Sequence, residues 1–112
     1  RFVALIQPIV NIEHAIWQNP GSALMRRLLR SRGILPGESE RHAHLSSPLH
    51  GIPLCGGDRV VITAGVYDRL SPASDLLNLK HRWPGTRLLQ VRQGHFGYRA
   101  LRETLKEIER FL

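Results

Sequence analysis

The sequence predicts an α/β protein in which a parallel sheet is flanked by helices. Three short apolar runs alternate with helix-like segments, in the order strand, helix, long loop, strand, helix, strand, helix. Strands that alternate with helices form parallel sheets with right-handed crossovers. Three parallel strands are few, because both faces of each strand need covering and the two outer edges stay unpaired. The sequence therefore predicts part of a larger sheet.

The first strand is predicted within residues 2–10, a nearly unbroken apolar run of the kind that is buried on both faces of a sheet. Pro8 has no N–H to donate, so strand pairing should end near Gln7. Residues 11–19 are expected to be irregular or to form a short helical turn. The chain begins at Arg1 rather than at Met, which suggests that the natural N-terminus lies upstream.

A helix is predicted next, with Ser22 as its N-cap and Gly33 as its C-terminal stop. Its apolar residues share one side and its basic residues lie on the other, namely Leu24, Met25, Leu28 and Leu29 against Arg26, Arg27 and Arg30. Residues 35–57 are rich in Pro, Gly and His, which indicates a long connection. Connections of this length are more often functional or lid-like than idle.

The second half of the chain returns to regular elements. Residues 59–64 and 86–91 are two further strand-like runs. The helix between them should have Ser71 as its N-cap and Pro72 at its first helical position, and it should end at 83–85. The last segment, 99–112, predicts an amphipathic helix with Leu101, Leu105, Ile108 and Leu112 on one stripe.

Composition and charge narrow the possible functions. The chain is 42% hydrophobic and 22% charged, which is ordinary for a folded protein, and its longest apolar run is too short to cross a bilayer. The net charge of +7 comes mostly from scattered Arg residues without interleaved aromatic residues, so a solvated basic surface is favoured over a nucleic-acid site. The single Cys55 excludes an intrachain disulfide, and a reduced, cytoplasmic setting is favoured.

Four potential metal ligands fall in the long connection, namely His42, His44, His50 and Cys55. Their spacing matches no standard structural zinc pattern, so a polar loop is the preferred interpretation. No metal and no organic cofactor is expected.

Two predicted strand ends carry residues of catalytic type. Asp68 follows the second strand and His95 follows the third. Because neighbouring parallel strands end at one rim, the Asp68 carboxylate should accept the Nδ1 proton of His95 and leave Nε2 free as a base. Gly94 and Gly97 should allow a tight backbone path and leave room for substrate. The alternatives are that Asp68 is only a turn former and that His95 is an ordinary surface histidine.

These segments resemble the α/β-hydrolase superfamily. Residues 60–72, reading V-V-I-T-A-G-V-Y-D-R-L-S-P, are similar to the strand and the G-x-x-D-x-x-x-P turn that deliver the triad acid. Residues 83–96 begin with W-P-G, continue through a strand and end in G-H-F, similar to the family's final strand and its G-H-x turn. The interval between Asp68 and His95 accommodates one helix and one strand, as the resemblance requires.

The resemblance implies that 1–112 is the C-terminal part of a single α/β-hydrolase-like domain. Residues 58–112 would be core strands and helices, and 11–57 would include a cap or lid insertion. The implied function is acyl transfer of the serine-hydrolase type, such as esterase or lipase-like hydrolysis of a small ester or acyl substrate. Asp68 would be the triad acid and His95 the base.

The nucleophile elbow of that family, G-x-S-x-G, is absent. In the family the nucleophile precedes the acid, so the serine is expected upstream of Arg1, and these 112 residues alone are expected to be inactive. The implied partner is the missing N-terminal half or another protomer. The alternative is a non-catalytic hydrolase-like domain used for binding or assembly.

Overall fold

A three-stranded parallel sheet organises the chain, which the computed structural model describes in full from residue 1 to residue 112. The strand order is β1-β2-β3, with β1 at Val3–Ile6, β2 at Val60–Gly65 and β3 at Arg87–Val91. The helices are α1 at Ala23–Ser31, α2 at Ala73–Arg82 and α3 at Arg99–Ile108. The chain therefore has an α/β fold in which each strand is followed by a helix.

The central strand β2 is the core of the molecule. It pairs with β1 from Val3 opposite Val60, and with β3 from Val61 opposite Arg87. Every residue of β2 is buried, as expected for a β-branched apolar strand with a neighbour on each edge. The hydrophobic core consists of Val10, Val60, Ile62, Ala64, Leu76, Leu79 and Trp83. The α2 helix thus packs on the sheet through its two buried leucines.

The α3 helix docks on the sheet through small and polar residues. Its buried residues are Ala100, Thr104 and Glu107. The apolar stripe predicted for this helix lies to one side of that contact, and Leu101 and Leu105 are about half exposed, at 49% and 51%. The periodicity was sufficient to group the leucines on one side, but the side that faces the sheet is set by hydrogen bonds described below.

The α1 helix differs from its prediction in two respects. It begins at Ala23, but the Ser22 hydroxyl does not cap it and instead donates to the carbonyl oxygen of Ala15 at 2.6 Å. The helix has no buried residue, and three of its four large apolar side chains face solvent, with Leu24 68%, Met25 51% and Leu28 55% exposed. The fourth, Leu29, is partly buried. The predicted apolar side of α1 therefore makes no core contact within this chain.

The start of α2 also differs from its prediction. Pro72 is the N-cap of α2 rather than its first helical residue. The hydroxyl of Ser71 donates to the carbonyl oxygen of Pro8 instead of capping the helix. This contact ties the start of α2 to the chain just beyond β1.

The connections contain only short helical segments. A π-helical turn lies at His14–Gln18, and 3-10 turns lie at Pro20–Ser22, Ser39–Leu45, Pro48–His50, Gly57–Arg59 and Glu109–Phe111. Trp83 links the long connection to the core, because its indole N–H donates to the carbonyl oxygen of Gly51 at 2.8 Å. None of the helices combines the length and the apolar character needed to cross a membrane.

Candidate active site

The turn after β2 and the turn after β3 are hydrogen-bonded to each other. The amide of Val66 donates to the Val91 carbonyl at 2.8 Å, and the amide of Tyr67 donates to the Gln93 carbonyl at 3.0 Å. These bonds join the two turns just past the last strand pair, Gly65 opposite Val91. They bring Asp68 and His95 to the same rim of the sheet.

Asp68 and His95 are in direct contact. The Nδ1 atom of His95 lies 2.8 Å from Oδ2 of Asp68. The Asp68 side chain is fully buried, whereas 20% of the His95 side chain is exposed. A carboxylate at Nδ1 favours the tautomer that carries its proton there, which leaves the Nε2 lone pair available to take a proton. The ring of His95 also lines an open cavity of about 360 Å³.

The two carboxylate oxygens of Asp68 have separate tasks. Oδ1 accepts hydrogen bonds from the amides of Leu70 and Ser71, at 2.9 Å each. Oδ2 accepts from the amide nitrogen Nε2 of Gln7 at 2.9 Å and faces His95. Asp68 therefore stabilises its turn through Oδ1 and contacts the His95 ring through Oδ2. The two interpretations of Asp68 are compatible.

Two glutamines of the site were not identified from the sequence. Gln7 lies just past β1, is 5% exposed and has a left-handed backbone with φ +47°. Gln93 lies just past β3 and is 8% exposed. The Nε2 of Gln93 donates to Oε1 of Gln7 at 2.8 Å. Both are polar residues at the carboxyl end of an apolar strand, which is the criterion that selected Asp68 and His95, so the same signal was available for them.

The two glycines beside His95 differ in their surroundings. A Cβ on Gly94 would meet nothing within 4 Å, which fits an open approach to the site. A Cβ on Gly97 would lie 2.6 Å from Cδ of Gln93. Gly97 therefore makes room for the Gln93 side chain, and the expectation that it leaves space for substrate was wrong.

The cavity is bordered by residues from three parts of the chain. They are Asn19, Gly21, Ser22, Tyr67, Asp68, Arg69, Leu70, His95 and Phe96. The Phe96 ring stands edge-on to the His95 ring with centroids 5.0 Å apart, and its side chain is 94% exposed. Residues of the 11–57 segment thus form one wall of the cavity that contains the dyad.

The cavity contains no activated nucleophile. Ser22 is a serine on its wall, but the hydroxyl proton of Ser22 is already donated to the Ala15 carbonyl. The only hydrogen bond of the His95 ring is the one to Asp68. No serine hydroxyl of the cavity wall is therefore hydrogen-bonded to His95.

No cluster of three or more His, Cys, Asp or Glu side chains is placed so as to hold a metal ion. In the long connection, His42 and His44 share one 3-10 turn and His50 lies in another.

Comparisons with known proteins give no relationship. No protein-family model matches the chain, and no curated protein and no solved structure matches it either.

Proposed function

We propose that the chain supplies the acid and the base of a serine-hydrolase-type acyl transfer, as the C-terminal half of an α/β-hydrolase fold. The observation that carries the proposal is the 2.8 Å contact between Asp68 and His95 at the rim of an open cavity. The order of strand, acid, helix, strand, histidine and helix supports it, as does the parallel pairing of β2 with β3.

In this proposal His95 acts first as base and then as acid. Nε2 takes the proton from a serine hydroxyl while the serine oxygen bonds to the acyl carbon. Asp68 stabilises the resulting imidazolium through Nδ1–H. The same proton then passes from Nε2 to the alcohol oxygen as the bond between that oxygen and the acyl carbon breaks. A water molecule repeats the sequence and releases the acid and the serine.

The partner that this proposal requires would bring the serine to Nε2. The free edge of β1 is where a further parallel strand would pair, since β1 is an outer strand of the sheet. That strand would belong to the missing N-terminal half or to another protomer. Residues 11–57 would act as the cap, because Asn19 and Ser22 already form part of the cavity wall.

Covalent labelling tests the proposal. The chain is expressed with its complete reading frame and is treated with a fluorophosphonate probe, which reacts with activated serines. We expect one labelled serine outside the 112 residues, and loss of the labelling in His95→Ala. Labelling that is unchanged in His95→Ala, or a correctly folded protein that is never labelled, would contradict the proposed function. His50→Ala is the matched control, because His50 lies away from the dyad cavity.

A second candidate is a non-catalytic domain for binding or assembly. It is favoured by the exposed apolar side of α1, where Leu24, Met25 and Leu28 are each more than half exposed. Such a surface is typical of protein contact sites. The complete reading frame separates the two candidates, since a strand followed by G-x-S-x-G supports the enzyme and its loss supports the binding domain.

A further inference from the structure

We propose that Gln7 and Gln93 form a relay of hydrogen bonds that positions Asp68 for His95 and fixes the tautomer of His95. The inference deepens the proposed function and rests on it. Neither glutamine lines the cavity, so both are positioning residues that act through Asp68.

The start of α3 sets the orientation of the Gln93 side-chain amide. The backbone N–H of Ala100 can only donate, and it lies 2.8 Å from Oε1 of Gln93. The Nε2 of Gln93 then faces two acceptors, the Gly97 carbonyl at 2.7 Å and Oε1 of Gln7 at 2.8 Å. The reverse orientation of Gln93 would place its NH₂ against the Ala100 N–H and its oxygen against the Gly97 carbonyl oxygen, so these two backbone groups fix the amide.

The orientation of the Gln7 side-chain amide follows from that of Gln93. Oε1 of Gln7 accepts from Gln93, so the other end of the Gln7 amide is its NH₂ group. This Nε2 has two acceptors, each at 2.9 Å. One is Oδ2 of Asp68 and the other is the carbonyl oxygen of Gly94, the residue before His95. The relay thus runs in a single direction, from α3 to the Asp68 carboxylate. It fixes both the acid and the turn that carries the base.

The surroundings of the relay are shaped for two amide side chains. A Cβ on Gly65 would lie 2.5 Å from Nε2 of Gln7 and 2.8 Å from the Gln93 carbonyl oxygen. Gly97 gives Gln93 space in the same way, as described above. Gln7 also has φ +47°, a backbone conformation that residues other than glycine seldom adopt. Strain of this kind persists where the surroundings demand one geometry, and it clusters at functional sites.

The relay affects the tautomer of His95 through the position of the Asp68 carboxylate. Two backbone amides hold Oδ1 of Asp68, and Oδ2 accepts only from Gln7 and His95. The Gln7 bond is therefore the contact, apart from His95 itself, that holds Oδ2 in place. Without it the carboxylate gains freedom, and its preference for a proton on Nδ1 of His95 weakens. A mixture of the two neutral tautomers would leave part of the protein without a free Nε2 lone pair.

The test is carried out on the complete protein with ¹⁵N-labelled histidine. The variants are Gln7→Met and Gln93→Met, which keep the length of the side chain and remove the amide. Gln90→Met is the matched control, because Gln90 is exposed on β3 and is not part of the relay. The signal of His95 is assigned as the one that disappears in His95→Ala. The ¹⁵N shifts report which ring nitrogen of His95 carries the proton, and turnover of an ester substrate gives kcat and KM.

We expect wild type and Gln90→Met to have His95 in the Nδ1–H tautomer alone, and Gln7→Met to show both tautomers. The loss of a hydrogen bond to a charged group should lower kcat by about 10-fold to 100-fold, with KM nearly unchanged. Gln93→Met should shift the His95 tautomer and kcat in the same direction, but by a smaller amount. It serves as the test if Gln7→Met does not fold.

The outcomes separate the relay from the proposed function. A pure Nδ1–H tautomer and wild-type kcat in the folded glutamine variants would overturn the relay. If Asp68→Asn changes the tautomer while Gln7→Met does not, the dyad stands and the relay fails. If His95 of the wild type is not in the Nδ1–H form, the dyad fails and the proposed function fails with it.

Discussion

The choice of residues at the strand ends explains most of the site. Asp68 is buried with four hydrogen bonds to its two oxygens, from the amides of Leu70 and Ser71, from Gln7 and from His95. A buried carboxylate without such partners would be costly. The contact between Asp68 and His95 could be predicted from the sequence, because an acid and an imidazole at neighbouring strand ends have recognisable chemistry. The glutamines share the strand-end position, but a neutral amide has no such chemical signature, and its role depends on which groups it faces.

Asp75, in the first turn of α2, should make the stability of the chain depend on pH. Burial raises its pKa above the usual 3.8, and the nearby His14 ring, with Nδ1 3.4 Å from Oδ2, opposes the shift. Because the folded state holds this proton more tightly than the unfolded state, the contribution of Asp75 to stability is present below pH 3.8. It is lost as the pH rises through the raised pKa.

Urea denaturation of the complete protein across that pH range, in wild type and Asp75→Asn, checks this expectation. The free energy of unfolding of wild type should decline relative to that of the variant as the pH rises. A constant difference between the two proteins would show that Asp75 does not titrate abnormally.

At the scale of elements, the strands were easier to predict than the orientation of the helices. The three strands were located because short apolar runs bounded by turn residues are distinctive. The burial expected for the first of them was wrong, since β2 is fully buried but β1 is only partly buried at an open edge of the sheet. The helices α1 and α3 were also located. Periodicity, however, shows only which residues share a side of a helix, and it does not show which side contacts the sheet. For α3 the contact side is chosen by polar bonds from Ala100 to Gln93, from Thr104 to Thr63 and from Glu107 to Arg87. Such long-range pairs leave no local signal in the sequence.

The hydrogen bond between Thr63 and Thr104 predicts an asymmetry between two substitutions. Thr104 donates its hydroxyl proton to the Ala100 carbonyl at 2.6 Å, so Thr63 must be the donor in the 2.6 Å contact between the two hydroxyls. Thr63→Val leaves Thr104 with a partner and should cost about 1 kcal/mol of unfolding free energy. Thr104→Val leaves a buried donor on Thr63 without an acceptor and should cost up to about 3 kcal/mol.

Chemical denaturation of the complete protein carrying each substitution measures this difference. Thr86→Val is the control, because the buried Thr86 hydroxyl has no hydrogen-bond partner and its removal should be neutral or stabilising. Equal losses in Thr63→Val and Thr104→Val would contradict the assigned direction of the bond.

On the scale of the whole molecule, the chain forms an elongated, flat structure with a small hydrophobic core. Its radius of gyration is 15.1 Å, against about 13 Å for a compact domain of this length. The shortest dimension is 18 Å, and only 20 of 112 residues are buried. The outer edges of β1 and β3 are unpaired, and the apolar sides of α1 and α3 are largely exposed. These are surfaces that another polypeptide would cover.

The isolated 112-residue chain should therefore self-associate or unfold without cooperativity. In sedimentation velocity we expect species larger than a monomer that grow with concentration. Leu28→Glu, on the exposed side of α1, should reduce this association, whereas Ser31→Glu on the same helix should have a smaller effect. A monodisperse monomer with a single sharp melting transition would contradict the expectation.

The central claim is that Asp68 and His95 share a proton, and the ¹⁵N spectrum of the His95 ring tests it most directly. At a pH where the imidazole is neutral, we predict a protonated Nδ1 and an unprotonated Nε2 in the complete protein. We also predict that Asp68→Asn exchanges these two states, because the side-chain amide can then donate to Nδ1. An Nε2–H tautomer in the wild type, or a spectrum that Asp68→Asn does not alter, would contradict the account.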